Sequence, residues 1–168
     1  MVKNRTVGRN RGFTLLELML VITILGITAL MVFPKVSSFG AGNLKRTVRH
    51  LSGLIQHLAQ ESASTKKVYR LHYQIEEGAY WVNELQENRE FAPISDPLIT
   101  KETLPEGIFF EDIITPRHGK VSEGEAYTEF YPLGVEKTSI HLKKGDQQWT
   151  LTVNSLTGRV KVVDQYVE

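Results

Sequence analysis

The 168-residue chain contains no cysteine, so a disulfide scaffold, thiol catalysis and Cys-ligated metal are all excluded. It also lacks a compact metal or nucleotide motif. Its five histidines, His50, His57, His72, His118 and His141, form no HxH, HxxxH or HExxH pattern, and there is no GxGxxG or Walker sequence. His50 and His57 share a side of one expected helix without a third ligand, so they read as surface histidines. Glu76-Glu77, Glu111-Asp112 and Glu123 with Glu125 read as turns and solvated faces. Intrinsic catalysis is therefore not expected, nor is a cofactor. The last residues, 162–168, hold only Asp164 and Glu168 as carboxylates, too few for a calcium loop, so no metal site is expected.

Charge is the next scarcity, and it is local. From Phe13 to Phe33 the only charged residue is Glu17, whereas residues 1–12 hold Lys3, Arg5, Arg9 and Arg11 and no acid. Removing those four positive charges from the formal net charge of +1 leaves −3. A mildly acidic body gives no general reason to expect nucleic acid as a partner.

In the run FTLLELMLVITILGITALMVF, 16 of 21 residues are aliphatic, aromatic or Met. As a helix it would rise roughly 30 Å, the thickness of a bilayer hydrocarbon core. The basic residues before it outweigh Lys35 beyond it, which orients the N-terminus to the cytoplasm and sends the rest of the chain across. A cleaved secretory signal would have a shorter apolar run, and a soluble core helix would show a polar face. Glu17 makes the anchor specific: a carboxylate in lipid costs about 2–3 kcal/mol, less near a helix end. No Lys, Arg or His lies between Phe13 and Phe33, so its cationic partner is sought outside this stretch, most economically in another subunit. Snorkelling to the headgroups, or protonation, is the alternative.

Gly12-Phe13-Thr14-Leu15-Leu16-Glu17-Leu18, with a basic leader before it and an apolar helix after it, resembles the processing and assembly signal of type IV pilins and type II secretion pseudopilins. The resemblance implies cleavage after Gly12 by a prepilin peptidase/N-methyltransferase and methylation of the new amino terminus, Phe13. It also gives Glu17 a role in docking each subunit against its neighbour's N-terminus, an α-amine of ordinary pKa about 7.7–8 that is largely charged at neutral pH. Pro34 matches a helix-interrupting proline common in pilin-like chains, and its missing donor predicts a kink near residues 30–34.

Beyond it, Ser37-Ser38-Phe39-Gly40-Ala41-Gly42 predicts a loosened connection over 34–43. Asn43 is suited to cap a second helix over 44–64, in which Leu44, Val48, Leu51, Ile55 and Leu58 draw one apolar stripe. The remainder predicts a hairpin from Val68–Ile75 and Ala79–Leu85, a long connection or short edge element over 86–105, and a strand over 107–114. Four more strands are expected at 126–131, 139–143, 148–154 and 159–163, the last three as a meander. The expected architecture is α+β, a type IV pilin-like fold whose long N-terminal helix packs on one antiparallel sheet of six or seven strands. Its parts are a leader 1–12, a membrane and assembly helix 13–33, the connection 34–43 and a periplasmic domain 44–168.

Phe130-Tyr131-Pro132-Leu133-Gly134 and the turn Asn154-Ser155-Leu156-Thr157-Gly158-Arg159-Val160 are similar to the C-terminal pattern of the minor pseudopilin H group, the GspH/FimT family. The resemblance implies a minor pseudopilin of a type II secretion system, joining the tip or initiation complex that supports protein export across the outer membrane. Its implied partners are other minor and major pseudopilins, the inner-membrane secretion platform, membrane lipid and secreted cargo, with force from a separate ATPase. The alternative is a minor type IV pilin acting in pilus initiation or DNA uptake. DNA uptake would need Lys143, Lys144, Arg159 and Lys161 brought together by the terminal strands.

Overall fold

The computed structural model describes residues 15–36, 39–94 and 101–167, and in its two helices the side chains of 15–27 and of 43 onward. The chain divides into two compact units, Met1–Gly40 and Ala41–Glu168. In the first, α1 (Leu15–Val36) contains Pro34. Ser37 and Ser38 lie outside the described residues.

Helix α2 spans Phe39–Thr65, so it starts earlier than expected and takes Gly40, Ala41 and Gly42 into the helix rather than a loose connection. Each glycine costs a helix only about 1 kcal/mol and removes no backbone donor, so a short Gly-rich stretch is a penalty and not a stop. Asn43 is correspondingly no N-cap; its carbonyl accepts the Thr47 hydroxyl at 2.9 Å within the helix. The helix ends at Thr65, and Lys66 just beyond it takes positive φ (62°) and bonds back to the Ser62 carbonyl.

The apolar stripe is the spine of the second unit. Leu44, Val48, Leu51, Ile55 and Leu58 are all buried in the core. Burying an aliphatic side chain stabilises by about 1.5–3 kcal/mol, which outweighs the weak propensity of the helix's glycines. The sheet residues of the same core include Leu71, Tyr73, Val82, Phe110, Ile113, Phe130, Ile140, Leu142 and Leu151.

Those residues come from two antiparallel sheets, where the sequence predicts one. The strands are β1 (Tyr69–Gln74), β2 (Ala79–Leu85), β3 (Phe91–Pro93), β4 (Glu102–Thr103), β5 (Phe109–Thr115) and β6 (Gly119–Val121). They continue with β7 (Glu125–Tyr131), β8 (Gly134–Val135), β9 (Ser139–Lys144), β10 (Gln147–Val153) and β11 (Val160–Val163). The first sheet has the order β3-β2-β1-β7-β8, with β4 also on β2; the second has β11-β10-β9-β5-β6. The chain changes sheet after β4, β6 and β8. The expected β1–β2 hairpin and the β9-β10-β11 meander are both present. Two short edge strands, β3 and β4, occupy part of the expected long connection.

Alternation along each strand gives every sheet a core face and an outer face. In the second sheet a bulge keeps that alternation useful. Phe110 pairs with Leu142 and Asp112 with His141, so Glu111 is the extra residue, and Asp112 is placed directly opposite His141 on the outer face.

Candidate functional site

The assembly segment is the first candidate. Gly12 and Phe13 lie outside the described residues. Glu17 stands in the first turn of α1, where a carboxylate is favoured by the partial positive charge of the helix N-terminus. The residues that follow are apolar on every side. Leu18, Met19, Leu20, Val21 and Ile22 are consecutive, more than one full turn, and all are exposed. Thr23 hides its polarity by donating its hydroxyl to the Met19 carbonyl at 2.7 Å. Such a surface has no polar face for water and is suited to lipid or to other apolar helices. The described side chains stop at Ile27, short of the about 20 residues a spanning helix needs. Among the described residues no helix is long and apolar enough to cross a membrane.

The outer face of the first sheet carries an ionic and aromatic ladder. Arg70 and His72 alternate along β1, and the register sets Glu129 and Tyr127 of β7 directly beside them, with Trp81 of β2 on the other side of His72. The Arg70 guanidinium lies between two rings, 3.7 Å from the Phe91 centroid and 4.1 Å from that of Tyr127. Glu129 is buried and accepts from Arg70 at 2.6 Å, from Arg117 at 2.6 Å, and from the Tyr131 hydroxyl. Burial opposes ionisation of Glu129, but the bonds from Tyr131, Arg70 and Arg117 outweigh it and hold the carboxyl below its ordinary value.

His72 stacks on Trp81 with centroids 5.1 Å apart and the rings 4° from parallel, and its Nδ1 bonds Glu125. Burial outweighs that carboxylate and pulls the imidazole below its ordinary value. Glu125 is thus an exposed carboxylate, as the sequence reading has it, that also partners the buried His72. Glu76, too, has a structural role: its Oε1 accepts the Gly124 amide at 2.9 Å, a bond that lowers its carboxyl.

On the second sheet Asp112 is a correction to the sequence reading, because it is 1% exposed. It is covered by the C-terminal segment. His141 bonds Asp112 at 2.6 Å and the Val167 carbonyl at 2.9 Å, and the Tyr166 ring stacks on His141 at 4.1 Å. Tyr166 also donates to Asp112, while Thr150 bonds Gln165 and Val167. The sequence signal for this cluster was the Ile140-His141-Leu142 alternation, which puts His141 on the outer face; the bulge that aligns Asp112 left none.

Of the four candidate cations for DNA uptake, Arg159 and Lys161 come together and Lys143 and Lys144 do not join them. Lys161 pairs with Thr152 on β10, whereas Lys143 pairs with Gln148, four residues away and so about 13 Å along the strand. Lys143 faces Glu111 at 3.8 Å. Of the other candidate ligands, His50 bonds Glu102 at 2.8 Å and His57 is exposed. Among the described residues no group of three or more His, Cys, Asp or Glu side chains could hold a metal ion.

Residues 8–33 match the family model described as the prokaryotic N-terminal methylation motif. Two solved structures of the minor pseudopilin EpsH, from the type II secretion system of Vibrio cholerae, are similar to the chain. One has a TM-score of 0.60 at 13% identity, covering 74% of this chain and 95% of the other. The second has a TM-score of 0.58 at 13% identity, covering 73% and 97%. At that identity the likeness establishes the fold, that of a minor pseudopilin. No curated protein matches the chain.

Proposed function

We propose that the chain is a minor pseudopilin of a type II secretion system. The observation that carries this reading is the methylation motif over residues 8–33 on a chain whose fold is that of EpsH. In this reading a prepilin peptidase/N-methyltransferase removes residues 1–12 after Gly12 and methylates Phe13. Residues 13–33 anchor the subunit in the inner membrane with the N-terminus cytoplasmic and residues 44–168 periplasmic. Glu17 sets the axial register by pairing with the α-amine of a neighbouring subunit, and Pro34 kinks the helix as it leaves the membrane.

The subunit acts by assembly rather than by catalysis. It joins other minor and major pseudopilins on the inner-membrane platform at the tip or initiation complex, where its loops meet partner subunits and secreted cargo. The test is native co-purification of the full-length chain from membranes. Recovery of secretion pseudopilins is expected; recovery of pilus-initiation or DNA-uptake proteins instead would transfer the chain to the type IV pilus.

A further inference from the structure

An open groove of about 700 Å³ lies over the far end of β10, the β10–β11 turn and the start of β11. Three cations line it, Lys137, Arg159 and Lys161, and among the described residues no carboxylate does. All three are exposed, and among the described residues none is in an ion pair. Its apolar lining is Val160, which is half-buried, since Val153 beneath it is turned into the core.

The walls are preorganised. Asn154 ties the turn by accepting the Leu156 and Thr157 amides on Oδ1, at 3.1 and 3.0 Å, and its own amide bonds the Arg159 carbonyl at 2.9 Å. The Ser155 carbonyl accepts the Val135 amide at 2.8 Å, which fixes the turn to β8. Along one side runs β11, which among the described residues pairs only with β10 and so offers a second strand edge.

We propose that this groove binds an extended acidic segment of a partner protein, one that alternates carboxylates with aliphatic side chains. The cations would take the carboxylates, Val160 the aliphatic groups, and the β11 edge the backbone of an added strand. A polynucleotide fits less well. Among the described residues no aromatic ring lines the groove to stack a base, which leaves a polynucleotide only its phosphates to be held. The inference deepens the subunit reading, from which it takes only that the partner is a protein.

The experiment uses the full-length chain in detergent micelles and a fluorescent synthetic peptide of alternating Glu and Val, with a Lys-Val peptide and a single-stranded oligonucleotide as comparisons. The Glu-Val peptide is expected to bind best, and to weaken as salt rises from about 50 to 500 mM. Lys137→Gln/Arg159→Gln/Lys161→Gln is expected to weaken it about tenfold, while Lys143→Gln/Lys144→Gln keeps it within about twofold. Equal weakening by both variants, absence of binding, or tighter binding of the oligonucleotide would overturn the proposal. Independently of any variant, a photoreactive Glu-Val peptide should label residues 152–161 of the unaltered chain, and labelling elsewhere alone would overturn it. Membrane co-purification, which tests the subunit reading, does not depend on either result.

Discussion

His141 and Asp112 face each other across β9 and β5 with Nδ1 and Oδ1 2.6 Å apart, both side chains nearly inaccessible to water. Asp112 Oδ2 receives Lys120 at 3.2 Å and Tyr166 at 3.2 Å, so one carboxylate organises three donors from β9, β6 and the C-terminal segment. Asp112→Ala leaves those donors without their acceptor and is expected to destabilise the domain by about 3 kcal/mol. It should also loosen the end of the chain. A lowered urea midpoint and faster carboxypeptidase trimming at residues 165–167 would be measured; trimming unchanged from wild type would show that Asp112 does not hold this segment.

Gly158 in the β10–β11 turn has φ +65°, and a Cβ there would lie 2.4 Å from the Ala59 Cβ of α2. Gly158→Ala therefore combines left-handed backbone strain with a clash, about 2–4 kcal/mol together. Ala59→Gly in the same chain should recover the clash and leave the backbone strain. A double-mutant cycle with no coupling between the two positions would contradict this contact.

Acid unfolding is expected in two steps. His72 is held below its ordinary value of 6.5 in the fold, so the unfolded chain takes up this proton first as pH falls. Stability therefore declines from about pH 6.5 downward and levels off below the folded value. Glu129 is held below its ordinary 4.5, so its contribution is complete above that pH and is lost as pH falls further. His72→Gln should abolish the first decline in urea midpoints and keep the second. Retention of the first step in that variant would assign it to another group.

Glu17→Gln removes the charge in the first turn of α1 and keeps the helix apolar. Membrane insertion is expected to be unchanged, because a neutral amide costs less in lipid than a carboxylate. Crosslinking to other pseudopilins within the membrane should fall severalfold. Crosslinking equal to wild type would remove Glu17 from subunit alignment.

The α2 stripe was legible because it is local: Leu44, Val48, Leu51, Ile55 and Leu58 recur at helical spacing and all are buried. The β1–β2 hairpin was legible for the same reason, since Glu76-Glu77-Gly78 closes it and Gly78 takes φ +61°. The division into two sheets was not. It depends on β7 joining β1, and β5 joining β9, across dozens of residues whose alternation suits either partner. The same limit hid the outer-face clusters: Arg70 and Glu129 are 59 residues apart, and Asp112 reaches His141 only through a bulge. The start of α2 was misplaced because two glycines in six residues look like a break and are only a weakness.

The intact mass of the full-length chain recovered from membranes that contain a prepilin peptidase decides whether this is a processed pilin-like subunit. The expected mass is that of residues 13–168 plus one methyl group, with the methyl on Phe13 by fragmentation. A chain that keeps residues 1–12, or begins at any residue other than Phe13, would contradict it.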